Sequence, residues 1–463
     1  MRVRHLPGII GNFVAVALSV TLQACLAQAP AETFLFDAQP THIWNRLHAA
    51  LYERADAAGR TYGRDELDPL LWIPTKHLLT GPSREAAIRV LDEFLSNRAE
   101  RLIRDPLRRA ILQRDLWAIF DWSAQPSDTY PAERRSLELR LATIIQRLAL
   151  SAEEIRALPD NYAAAVASHT FSGGYDPVQR DKPFLPPDLL ARAGPWVCLG
   201  AKGGEPAALA HLYAVKGHSV FLVFLNLPGG RKQTLEYMRK LSDYPVHWRF
   251  NSERQGPDDP ELEPNPDVPQ FPPGTQLALV RRLMLVDDRG QLAVTPLTES
   301  IQFRVYRAIV EEPPPMFRPG QQPTDRPRAD RSQDGFEFRL SRIRLLRNDP
   351  GGLRAVQPGE KEFPVLFSHE IDPFELRPED GPMESHLRPL LRFCGDCHRR
   401  AGVLSVLSYA NSFFGGPRFS RPATLIETSP AEEADRIAWW KRERYDWGLL
   451  QGLWQRSAER PSR

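Results

Sequence analysis

The stretch "HSVFLVFLNL", residues 218–227, constrains the fold more than any other part of the chain. A nearly continuous apolar run of this kind has to be buried, and its length and branched and aromatic content read as a strand. Two further runs, "QLALVRRLMLVDD" and "QLAVTPLTESIQFRVYR", flank the turn signal "DDRG", so Asp288, Arg289 and Gly290 are expected to close a hairpin. Downstream, "GFEFRLSRIRLLR" alternates through Phe336, Phe338 and Leu340 and then slips by one residue to Ile343 and Leu345, which predicts a bulged strand. "KQTLEYMRKLSDYP" reads as one helix among these strands. The implied unit is a mostly antiparallel β domain over residues 194–370, interrupted by proline-rich loops at about 254–274 and 311–334. The chain holds 43 prolines, roughly twice the usual share, and long irregular connections are expected from them.

Helical patterns stand on both sides of this region. Residues 40–168 predict an N-terminal bundle of amphipathic helices, with Ala87, Val90, Leu91, Phe94 and Leu95 at three- and four-residue spacing and Ser83 as a helix start. Ser151, followed by Glu153 and Glu154, predicts a capped helix that stops at Pro159. The last ninety residues are helical again. There Trp440, Trp447 and Trp454 recur every seven residues, a stripe that usually docks onto a core. "NLPGGRKQT" lacks the spacing of a phosphate-binding loop and reads as a structural turn. Cys198, alone on an apolar stretch, reads as a buried small hydrophobe. Sixty basic residues against 58 acidic ones leave a net charge of +2, so a nucleic-acid partner is not expected.

The N-terminus has the three parts of an export signal: Arg2, Arg4 and His5, the apolar "IIGNFVAVALSVTL", then small residues, giving a signal peptide over residues 1–30. The run is too short for a comfortable membrane span, and no later segment has the character of one. "LQAC" resembles the lipobox of bacterial lipoproteins, with Leu22 and Ala24 ahead of Cys25 but Gln23 in place of the usual small residue. Lipidation at Cys25 and plain cleavage near "AQAPAE" both remain open. A periplasmic or envelope location follows in either case, with the membrane reached only through such a lipid anchor.

The chemistry concentrates in "LLRFCGDCHRRAGVL", where Cys394, Cys397 and His398 fall within five residues. This pentapeptide resembles the attachment motif of c-type cytochromes, in which two residues between the thiols let a helical turn present both sulfurs along one porphyrin edge and the next side chain reaches the metal. On these residues the segment 385–463 resembles the cytochrome c superfamily. The resemblance implies one covalent haem c, with thioether bonds at Cys394 and Cys397 and His398 as proximal axial ligand. A redox partner protein is implied too, and export agrees with haem attachment outside the cytoplasmic membrane. Small cytochromes c take a second ligand downstream of the motif, yet no Met or His follows His398. The candidates for that place are therefore Met383, His386 and His369, just before the motif; an open position would suit peroxide chemistry instead.

The expected architecture is α+β: an N-terminal helical bundle, a central mostly antiparallel β domain and a C-terminal helical haem-attachment segment. The expected function is one-electron transfer or haem-linked redox at the cell envelope. The alternative is an envelope binding or scaffold protein in which CxxCH is a disulfide or metal clip. Nothing assigns catalytic residues, and whether the chain is an enzyme stays open.

Overall fold

The apolar run beginning at His218 becomes an interior strand of a seven-stranded sheet, as its burial on both faces requires. In the computed structural model, residues 35–65, 70–250, 252, 262–310, 332–347, 349–363, 371–391, 398, 401–407 and 425–458 are described. The signal segment with Cys25, and also His369, Cys394 and Cys397, lie outside them.

The sheet strands are β1 (Val197–Ala201), β2 (Ser219–Asn226), β3 (Thr275–Val286), β4 (Leu292–Tyr306), β5 (Gln333–Leu340), β6 (Leu353–Ala355) and β7 (Leu425–Glu427). Their spatial order is β6-β5-β4-β3-β2-β1-β7 and every neighbouring pair is antiparallel. Six strands thus follow one another as a meander, and the last returns to cover the free edge of β1. The β3–β4 hairpin closes where the sequence places it. Asp287 Oδ1 accepts from the amides of Arg289 at 3.0 Å and Gln291 at 2.7 Å, and Gly290 takes the left-handed conformation at φ 74°. β5 ends sooner than its alternation suggests: Ser341 accepts from the Arg344 amide and caps a short helix, so Ile343 and Leu345 are helical rather than strand residues.

The helices are α1 (Ile43–Tyr52), α2 (Gly81–Ser96), α3 (Pro106–Ser123), α4 (Pro131–Leu148), α5 (Ala152–Arg156), α6 (Asn161–Ala167), α7 (Leu209–Ala214), α8 (Gly230–Ser242), α9 (Arg342–Leu346), α10 (Val403–Leu407), α11 (Pro430–Arg442) and α12 (Tyr445–Ala458). The chain is of the α+β class. α5 carries the capping box read from Ser151 and Glu154. α2 begins two residues before Ser83, whose hydroxyl donates to the His77 carbonyl instead of capping. Gly229 and Gly230 form a turn held by Gln233 and Thr234, in keeping with a structural role. Trp447 and Trp454 pack edge to face in the core and Trp454 Nε1 donates to the Ala142 carbonyl. Cys198 is buried in β1, and burial pushes its thiol up to about 12. Among the described residues no helix is long and apolar enough to cross a membrane.

Residues 40–168, 194–370 and 385–463 contribute to one continuous hydrophobic cluster, and Phe34–Arg463 is one compact unit. The reason lies in α3. Its residues from Ala110 to Ser123 are all buried, so it is not an amphipathic surface helix but one enclosed on every side. The polar residues that lend it an apparent outer face are paired with other parts of the chain. Gln113 bonds the Ile145 and Val286 carbonyls and the Val286 amide. Arg114 meets Glu299 of β4 at 2.8 Å, Asp115 meets Arg342 of α9, and Asp121 meets Lys441 of α11 at 2.8 Å.

Lys441 is fully buried and also bonds Asp446 at 2.7 Å and the Lys216 carbonyl at 2.7 Å. Burial alone would lower its pKa, but the two carboxylates together raise it. Lys441→Met would leave both acids buried without their cation, which costs about 3–5 kcal/mol. Urea unfolding of this variant is expected to show that loss. Arg89→Ala, which breaks only the exposed pair with Glu85, is expected to change stability by less than about 0.5 kcal/mol.

Candidate functional site

Cross-strand partners project to the same face of a sheet. Phe221 lies opposite Arg281, Leu277 opposite Arg304 and Thr275 opposite Tyr306, so these side chains share one face of the central strands. The other face, with Phe303 and Phe338, is filled by Phe171, Phe184 and Trp196. His398 belongs to the first face. Its backbone carbonyl accepts from Arg304 Nη1 at 3.4 Å, and Ser405, one helix onward, bonds the Tyr306 hydroxyl at 2.6 Å.

The segment after His398 is locked to the loop ahead of β3. Gln270 Nε2 donates to the Ala401 carbonyl at 3.2 Å, and its Oε1 accepts from the Val403 amide at 2.6 Å. Gly402 makes this approach feasible, because at φ 47° any Cβ would lie 2.0 Å from Gln270 Oε1. Ser405 donates to the Gly402 carbonyl at 2.7 Å, which makes the buried Tyr306 hydroxyl the donor in their mutual bond.

The imidazole of His398 is held by the carbonyl of Ser405, 2.8 Å from Nδ1. A carbonyl has no proton to give, so Nδ1 is the donor and the lone pair resides on Nε2. Opposite it stands His211, from α7. The two ring centres are 6.1 Å apart and the planes differ by 10°. α7 is fixed by Leu212 in the core, by Tyr213 edge-on to Trp440 at 5.0 Å, and by the Gly217 amide returning to the Leu212 carbonyl. His211 also rests near Phe221, with ring centres 5.4 Å apart.

Both imidazoles are neutral near pH 7. Burial lowers the pKa of His211 to about 4, with Arg304 and Arg281 adding to the effect. Burial holds His398 well below its ordinary value, helped by Arg304 and then by His211. Arg281 is tied to Glu299 at 2.8 Å and to Ser219 at 3.0 Å. Neutral imidazole is the form that binds metal ions. Both rings are therefore in the protonation state that such binding needs. Among the described residues no group of three or more His, Cys, Asp or Glu side chains is arranged to hold an ion; the two motif thiols lie outside that set.

Two of the three second ligands expected from sequence have other contacts. Met383 packs against the satellite cluster of Leu70, Trp72 and Phe363. His386 lies in the same short 3-10 turn and turns Nε2 toward the Asp380 carbonyl at 3.1 Å. His369 lies outside the described residues. His211 carried no signal of its own in the sequence, since it stands in no motif and far upstream of His398. Only the path of the meander, with α7 inserted between β1 and β2, brings it there. No family model, no curated protein and no solved structure matches this chain.

Gly402→Ala combines a left-handed backbone with a collision at Gln270, a combination expected to cost about 1–3 kcal/mol in urea unfolding. In the Gln270→Ala background the collision with Gln270 disappears, while the backbone strain and a 3.1 Å approach to Ile309 Cδ1 remain. The second loss should accordingly be smaller than the first, a non-additivity that a double-mutant cycle reads directly.

Proposed function

We propose that this chain is an exported c-type haem protein of the cell envelope, working in one-electron transfer with a partner protein. In this reading Cys394 and Cys397 hold one haem through thioether bonds and His398 is the proximal axial ligand. The observation that carries it is the bond from His398 Nδ1 to the Ser405 carbonyl at 2.8 Å. A ligating histidine needs its other nitrogen tied down in this way, because that bond sets the tautomer, aims Nε2 and makes it more basic. The motif residues fit the group: two thiols at CxxC spacing and an adjacent neutral imidazole whose lone pair is on Nε2.

A bound haem would supply a one-electron iron couple. The remaining work falls to the chain. Tyr306, Ser405 and Gly402 form a hydrogen-bonded run that keeps the Ser405 carbonyl in place. Arg304, bonded to the His398 carbonyl, puts positive charge beside the site. The rest of the chain builds the rigid sheet on which His398 is mounted, as a ligand site needs.

The competing reading is a metal clip. It draws on the same pair of imidazoles, since His211, His398 and two thiols would make a Cys₂His₂ donor set suited to zinc. The full chain, signal included, made in cells that carry a c-type haem maturation system, separates the two. About one haem per chain is expected to stay with the polypeptide through denaturation and organic extraction, because thioether bonds survive both. The Cys394→Ser, Cys397→Ser double variant should lose it. Purified protein with no bound haem and a full complement of zinc would overturn the proposal in favour of the clip.

A further inference from the structure

We propose that His211 is the second axial ligand, so that the iron carries two histidines, one from the motif and one from α7. This inference rests on the haem reading above and adds what that reading leaves open, the residue facing His398. It also decides what kind of haem protein this is.

The argument is geometric. An imidazole nitrogen sits about 2.0 Å from a first-row metal ion and about 1.1 Å from its own ring centre, so two trans imidazoles place their centres roughly 6.2 Å apart. The His211 and His398 rings stand 6.1 Å apart with planes within 10° of parallel. Each ring is mounted independently. His398 is fixed through Ser405 and the Gln270 bonds, and α7 is fixed through Leu212 and Tyr213. The spacing is thus set by supports on two separate elements over one sheet face. Met383 and His386 are engaged elsewhere.

Two histidine ligands close both axial positions. A closed iron carries electrons, whereas binding of small molecules or reaction with peroxide needs a free position. The inference thus favours electron transfer within the proposed function and disfavours peroxide chemistry.

The test uses the full chain matured with haem, read by visible absorption and electron paramagnetic resonance. The wild-type protein is expected to be low-spin and six-coordinate. His211→Ala should keep its covalent haem, become high-spin, bind carbon monoxide in the reduced form, and return to low-spin on adding imidazole. His211→Met keeps a ligand at the position and serves if the alanine variant fails to accumulate; it should stay low-spin with a resonance pattern distinct from that of two histidines. Met383→Ala should leave the spectrum unchanged. A high-spin wild-type protein overturns the inference and leaves the haem reading standing. So does a low-spin spectrum that neither His211 substitution alters. Absence of covalent haem from the wild-type chain overturns both.

Discussion

The burial of charge on α3 is the constraint on which the rest of the fold depends. A helix enclosed on every side has to be apolar or has to bring a partner for each charge, and α3 follows the second course. Arg114, Asp115 and Asp121 reach Glu299, Arg342 and Lys441, which belong to β4, α9 and α11. An uncompensated charge at any of these places would cost several kcal/mol. The central helix therefore cannot be buried until the sheet, the segment after β5 and the C-terminal helices are all assembled around it. This explains in physical terms why stretches that look like successive units share one core.

The same assembly builds the candidate site. Glu299 reaches Arg114 from one oxygen and Arg281 from the other, so one carboxylate joins the helix layer to the face of the sheet where His211 and His398 lie. Lys441 bonds the Lys216 carbonyl in the turn between α7 and β2, and Trp440, its neighbour, packs on Tyr213 of α7. The position of His211 is thus tied to the C-terminal helices through α11. A helix of six residues has little stability of its own. Its place comes from these tertiary contacts.

Much of this was legible in the sequence where a residue's role depends on its near neighbours. The β3–β4 hairpin, the capping box at Ser151 and the docking of Trp447 and Trp454 are local patterns, and the structure contains them. The errors came where long-range partners decide. Residues 40–168 read as amphipathic helices, since nothing near the polar residues of α3 in sequence announces Glu299, Arg342 or Lys441. The slip after Leu340 read as a bulge, while the serine between the two apolar patterns was a helix cap. For the proposed site, CxxCH singles out His398 from five consecutive residues, whereas the sequence offers second-ligand candidates only in the neighbouring loop. That loop spends Met383 on an aromatic cluster and His386 on a backbone carbonyl.

The absence of Met or His beyond residue 398 has a structural counterpart. In a small haem protein the helix after the motif must supply the opposite ligand itself, since little else is near. Here the segment after His398 has a different task. Ala401, Gly402, Val403 and Ser405 anchor it to Gln270 and Tyr306, and so orient the imidazole. On the proposed reading, a scaffold with seven strands brings a ligand from a distant turn at little added cost, because α7 has to be placed somewhere on the sheet whatever it carries. On the proposed reading, the large folded body ahead of the motif is then part of the redox site itself. It supplies the second histidine, the charge of Arg304 and the sheet that holds both rings at a ligand's separation.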